Sequence, residues 1–138
     1  MAHRDNHTVY ALIGEEGFER LVRAFYRRIP EDDILNPMYP AEDLPGAEAR
    51  LRAFLIFRFG GPDDYLAQRG HPRLRMRHAP FPIDRAARDR WVTLMTAALD
   101  EMQFPPEADE RLRTYFQDGA TVMMNRGNEQ GMGINRPE

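Results

Sequence analysis

Between Glu15 and Ile29 the apolar residues fall at Phe18, Leu21, Val22, Phe25, Tyr26 and Ile29, the three-and-four spacing of an amphipathic helix. Val22, Tyr26 and Ile29 share one stripe, so Tyr26 is expected to face inward. Pro30 ends this helix, because proline disfavours helical geometry in the residue before it. Pro37, Pro40 and Pro45 then break residues 31–45 into short turns, with a helical turn expected near Asp32–Ile34. A second helix starts near Pro45, a residue suited to a first turn. Its stripe repeats through Ala47, Leu51, Phe54, Leu55 and Arg58 until Gly60-Gly61-Pro62 stops it. Residues 60–82 carry Pro62, Pro72, Pro80, Pro82 and Gly70 and show no sustained period, although a short helix over 73–78 fits inside. Loops this long are uncommon in a small domain and are often functional. Asp84 is a suitable N-cap for a third helix, lined by Trp91, Leu94, Met95, Ala98, Leu99 and Met102. Pro105-Pro106 opens a fourth, whose inner face carries Ala108, Leu112, Tyr115, Phe116 and Met123. Nothing reads as a strand hairpin, so the expected fold is all-α.

Composition narrows the class. The 138 residues suit one domain, read here as residues 8–126. Polar residues 1–7 are taken as a flexible N-terminus, and residues 127–138, with three glycines and a proline, as a flexible C-terminal tail. Hydrophobic residues make up 42% of the chain, enough for a packed core. The net charge of -3 gives no overall pull toward nucleic acid or an anionic membrane. The absence of cysteine excludes disulfides, thiolate-held clusters, cysteine zinc sites and covalent haem attachment through Cys-x-x-Cys-His. No apolar run approaches the ~20 residues needed to span a bilayer. The start of the chain has no apolar signal core, so a cytoplasmic location is expected.

Candidate chemistry concentrates in His71-Pro72-Arg73-Leu74-Arg75-Met76-Arg77-His78-Ala79-Pro80-Phe81. A neutral imidazole can ligate haem iron through one ring nitrogen while the other is held by a hydrogen bond. The neighbouring guanidiniums offer planar forks suited to carboxylates. His3 and His7 lie in the N-terminal segment and His71 precedes a proline, which leaves His78 as the better ligand candidate. Read alone, each residue also has a plainer explanation. His78 could be a surface loop histidine, Tyr26 and Tyr39 packing groups, Trp91 a core anchor, and the arginines a solvated face.

Taken with Phe25-Tyr26, Met38-Tyr39-Pro40, Phe59-Gly60-Gly61-Pro62 and Trp91, the Arg75-Met76-Arg77-His78 run resembles the truncated haemoglobins, specifically group II. The resemblance covers roughly residues 8 to 126. It implies two antiparallel helix pairs crossing as a two-over-two sandwich, around a non-covalent haem b with His78 as iron ligand. It implies that Tyr26, Tyr39 and Trp91 stabilise a diatomic ligand (dioxygen, carbon monoxide or nitric oxide) on the distal side. Ala47 and Leu51 match distal-helix positions that many globins fill with a hydrogen-bond donor, and Phe54 and Leu55 should wall the pocket. By the same resemblance Arg50 and Arg77 are the better propionate contacts, Tyr65 meets a propionate or the haem edge, and Met76, Phe81 and Ile83 supply apolar haem surface. The electron donor is unknown, the chain is a monomer or a homodimer, and the charge balance and lack of an apolar span point to no nucleic acid and no membrane as partners. One departure is Gly14-Glu15-Glu16-Gly17, where the family often has a glycine pair, which puts the geometry of the first turn in question. Two other readings compete. One is a cofactor-free helical interaction module. The other is a nucleic-acid binder using Arg69, Arg73, Arg75 and Arg77, which the acidic balance disfavours.

Overall fold

The computed structural model describes residues 8–62 and 83–124. Helix α1 spans Val9–Arg27 and is capped by the Thr8 hydroxyl, which accepts from the Ala11 N–H at 2.9 Å. The helix thus begins earlier than the apolar period suggests. Gly14 separates its two limbs, with φ 73° and ψ 176°. That backbone region is essentially restricted to glycine, so the incomplete glycine motif still makes the kink that its sequence put in question. The limb after the kink carries the predicted period but ends at Arg27, two residues before the expected end at Ile29; Phe18, Leu21, Val22 and Phe25 on it, and Ile29 beyond it, are fully buried.

Pro30 sits in a 3-10 turn over Ile29–Glu31, and further 3-10 turns follow at Asn36–Met38 and Ala41–Asp43. The turn expected near Asp32–Ile34 is formed differently. The Asp32 carboxylate accepts from the Ile34 and Leu35 N–H groups at 3.1 and 2.8 Å and caps the segment from its side chain. Helix α2 spans Leu44–Arg58 with Pro45 in its first turn, where a missing N–H costs nothing.

The glycines after α2 have a steric reason. Gly60 has φ 102°, and a Cβ there would lie 2.7 Å from Thr8. A Cβ on Gly61 would come within 2.8 Å of the Tyr10 ring. The Tyr10 N–H donates to the Phe59 carbonyl at 3.0 Å across this seam. The start of α1 is therefore sealed onto the end of α2.

Helix α3 spans Arg85–Met102, and its Asp84 cap accepts from the Ala87 N–H at 2.9 Å. Helix α4 spans Pro106–Met123. In the assembled fold α1 packs against α2 and α3, and α4 packs against α3 and α1, which is the two-over-two arrangement. No strand occurs among the described residues. Arg27 and Arg28 both reach Glu101, at 2.8 and 3.1 Å, and fasten the end of α1 to the end of α3. No helix among the described residues is long and apolar enough to cross a membrane.

Candidate functional site

The inner stripe of α2 faces a cavity of about 1450 Å³, bounded also by the turns after α1 and by α3 and α4. Ala47, Leu51, Phe54 and Leu55 supply one wall. Ile83, Ala87 and Phe116 supply apolar surface from the other helix pair. Except for Ile83, which precedes α3 and was expected from the family resemblance, these positions lie on the inner faces of regular helices. Leu35 and Met38 also line the cavity, but they lie in the proline-broken segment where no period signals an inward face.

Tyr26, Tyr39 and Trp91 bring polar atoms to this apolar space. The Tyr26 and Tyr39 rings meet edge to face, 5.7 Å between centroids. Phe25 packs edge-on against Tyr26 at 5.0 Å and leans on Trp91 at 5.1 Å, and Trp91 continues to Phe116 at 5.5 Å. Edge-to-face rings attract through their quadrupoles, so the cluster holds its own geometry.

Hydrogen bonds link the three polar groups of the cluster. The Tyr39 hydroxyl oxygen accepts from the Trp91 indole, and the Tyr26 and Tyr39 hydroxyls share a hydrogen bond. A phenol oxygen has two lone pairs and one proton. Each hydroxyl can also turn its remaining donor or acceptor capacity toward the cavity. Burial pushes both phenols up, Tyr26 well above the ordinary phenol value. The hydrogen bonds with Trp91 and Tyr26 partly offset that rise at Tyr39. For Tyr26 the neighbouring Tyr39 adds to the rise and Arg50 opposes it. Both phenols thus stay neutral donors at physiological pH.

Charge gathers at the rim. Arg50 lines the cavity and pairs with Asp43 at 2.7 Å, so any carboxylate it meets there must share or replace Asp43. Arg58, on the predicted α2 stripe, lies over the Phe59 and Tyr115 rings, its guanidinium carbon 5.2 and 4.9 Å from their centroids.

Of the predicted site residues, the structure brings Tyr26, Tyr39, Ala47, Arg50, Leu51, Phe54, Leu55, Ile83 and Trp91 to one cavity. Tyr65, Met76, Arg77, His78 and Phe81 lie outside the described residues. A flat macrocycle with an apolar body, a charged edge and a polar axial ligand needs apolar walls, a cation at the rim and donors over its centre. The cavity walls, Arg50 and the Tyr26–Tyr39–Trp91 cluster fit those needs.

The chain matches the bacterial-like globin family over residues 8–125. It is 37% identical over 117 residues to the group 2 truncated hemoglobin YjbI of Bacillus subtilis, covering 85% of this chain and 88% of that one. Among solved structures it resembles a thermostable hemoglobin from Thermobifida fusca, with 49% identity and a TM-score of 0.82 over 86% of this chain and 97% of that one. The group II truncated hemoglobin of Bacillus anthracis is similar at 33% identity and a TM-score of 0.83, over 90% and 95% of the two chains.

Proposed function

The chain belongs to the bacterial-like globin family, with the group II truncated haemoglobins, and from that membership we propose a slow-releasing ligand-binding protein with ligand chemistry, built on haem b. Its domain is residues 8–126. When bound, the haem supplies the iron at which a diatomic gas is held and through which electrons pass. His78 is the residue proposed to hold that iron. Arg50 and Arg77 are proposed to meet the propionates, Tyr65 a propionate or the haem edge, and Met76, Phe81 and Ile83 to contact the apolar face.

The observation that carries this reading is the polar cluster on the cavity wall, where the Trp91 indole donates to the Tyr39 hydroxyl and that hydroxyl shares a hydrogen bond with Tyr26. Ala47 and Leu51, on the α2 wall, have no side-chain donor to offer. Polar stabilisation of dioxygen, carbon monoxide or nitric oxide then rests on Tyr26, Tyr39 and Trp91. A donor that bonds the held ligand must let go before release, and each such bond contributes on the order of 1 kcal/mol. Slow release makes a poor shuttle. The proposed activity is therefore chemistry on the ligand, such as reduction of peroxide or oxidation of nitric oxide to nitrate, supplied by a separate electron donor in the cytoplasm. Of the relatives, the Bacillus subtilis protein has itself been described as oxygen-avid.

The test is the visible absorption spectrum of the purified protein, loaded with hemin, reduced and exposed to carbon monoxide. A Soret band that moves to a six-coordinate carbonyl spectrum is expected. Failure to take up hemin specifically would sink the reading.

A further inference from the structure

Asp32 is the one buried charged side chain among the described residues. Burying a carboxylate is costly unless it is paired and hydrogen-bonded, and this one is fully engaged. One oxygen accepts from the Ile34 and Leu35 N–H groups, and the other from the Arg90 guanidinium, which also reaches Asp33 at 3.1 Å. Neither the haem reading nor the helical periodicity requires this pair, and its two members lie in separate parts of the chain.

Their neighbours give the pair its meaning. Arg90 immediately precedes Trp91 on α3, a rigid regular helix. From Asp32 a ladder of backbone bonds leads to Tyr39. The Asn36 N–H donates to the Asp32 carbonyl at 3.0 Å, and the Tyr39 N–H donates to the Asn36 carbonyl at 3.1 Å. The Met38 N–H donates to the carbonyl of Leu35, whose own N–H is held by the Asp32 carboxylate. One ion pair therefore joins the segment carrying Tyr39 to the helix carrying Trp91, beside the two residues whose side chains share a hydrogen bond.

We propose that Asp32 and Arg90 are positioning residues, whose ion pair seats the Tyr39 segment on α3 and so sets the Trp91–Tyr39 hydrogen bond over the cavity. The inference rests on the distal roles proposed above for Tyr39 and Trp91. Asp32→Asn is the discriminating change. It keeps an acceptor for the Ile34 and Leu35 amides and removes the charge that holds Arg90. Arg90→Gln removes the charge from the half-exposed side, and Arg90→Lys restores a cation without the planar fork.

The chain has a single tryptophan, so the Trp91 indole N–H gives one resonance in the NMR spectrum of the reduced, carbon monoxide-loaded protein. Asp32→Asn and Arg90→Gln are expected to speed hydrogen exchange at that indole at least about tenfold, a loss on the scale of a charged hydrogen bond. Exchange at the buried Met95 and Leu99 amides on the same helix should stay unchanged, and Arg90→Lys should recover part of the protection. Carbon monoxide release should speed up in the same order. If Asp32→Asn fails to fold, the Arg90 variants report the same quantity. Tyr39→Phe is the reference. Should it speed indole exchange while the Asp32 and Arg90 variants do not, the positioning role is overturned and the distal reading stands. Should Tyr39→Phe itself leave both exchange and release unchanged, the distal reading fails and takes the positioning role with it. Loss of protection at Met95 and Leu99 along with the indole would mark general loosening of α3 and would also overturn the proposal.

Discussion

The indole N–H of Trp91 donates to the hydroxyl oxygen of Tyr39, which also shares a hydrogen bond with the Tyr26 hydroxyl. Tyr39 is thus the hub of the cluster, bonded to both Tyr26 and Trp91, and all three line the cavity. Removing the hub should matter more than removing one spoke. Tyr39→Phe is expected to speed dioxygen release more than Tyr26→Phe. Trp91→Phe should also speed release, by about fivefold for one neutral hydrogen bond lost. Stopped-flow displacement with carbon monoxide measures all three. Unchanged release in Trp91→Phe would remove that residue from ligand stabilisation.

His78→Ala should weaken haem retention, because an imidazole is the proposed protein ligand to the iron. Haem transfer to an excess of apomyoglobin, followed in the Soret region, gives the rate. Full retention with an unaltered spectrum would show that another residue holds the iron.

The buried phenols make an alkaline prediction. Burial is the main cause that raises Tyr26, Tyr39 and Tyr115 above the ordinary phenol value near 10. A raised folded-state value means that the unfolded chain loses these protons first. Their contribution to stability is complete below about pH 10 and declines as pH rises from there through the folded-state values. Ultraviolet difference titration should show these three phenols ionising later in the folded protein than in denaturant. Phenols that all titrate together at the ordinary value would contradict their burial.

Gly14→Ala should destabilise the fold by about 1–3 kcal/mol, because its backbone angles belong to a region that only glycine occupies readily. No side chain lies within 4 Å of the added methyl group, so the cost is conformational and not a clash. Urea denaturation monitored by circular dichroism measures it. A variant as stable as the parent would mean that the kink is not held at Gly14.

The four helices and their inner faces were legible because an apolar stripe at helical spacing must be buried wherever the helix goes. Phe54, Leu55, Met95, Ala98 and Leu112 are buried on the stripes that predicted them. The limb Val9–Ile13 was not legible, because it is too short to show a period and turns away at Gly14. The Asp32–Arg90 pair was equally hidden. Each member sits among other charged residues, Glu31 and Asp33 on one side and Arg88 and Asp89 on the other, and sequence alone does not single out which charges meet. The proline-broken turns conceal Leu35 and Met38 for the related reason that 3-10 turns present no repeating face. The crossing of the helix pairs came from family resemblance, since periodicity specifies which face is buried but not against what.

The seam between Tyr10 and Phe59 bears on the order in which the protein takes shape. A limb as short as Val9–Ile13 does not persist as an isolated helix, because the first turn fixes many dihedrals for few bonds. Its backbone partner and the glycine surface it rests on arrive only with residues 59–61. On a ribosome the earliest helical turn must therefore wait, unformed, until the whole of α2 has been made. The turn at Tyr10 and the far end of the cavity wall share one seam, so a lesion at Gly60 or Gly61 should be felt at residue 10 as well as at the cavity.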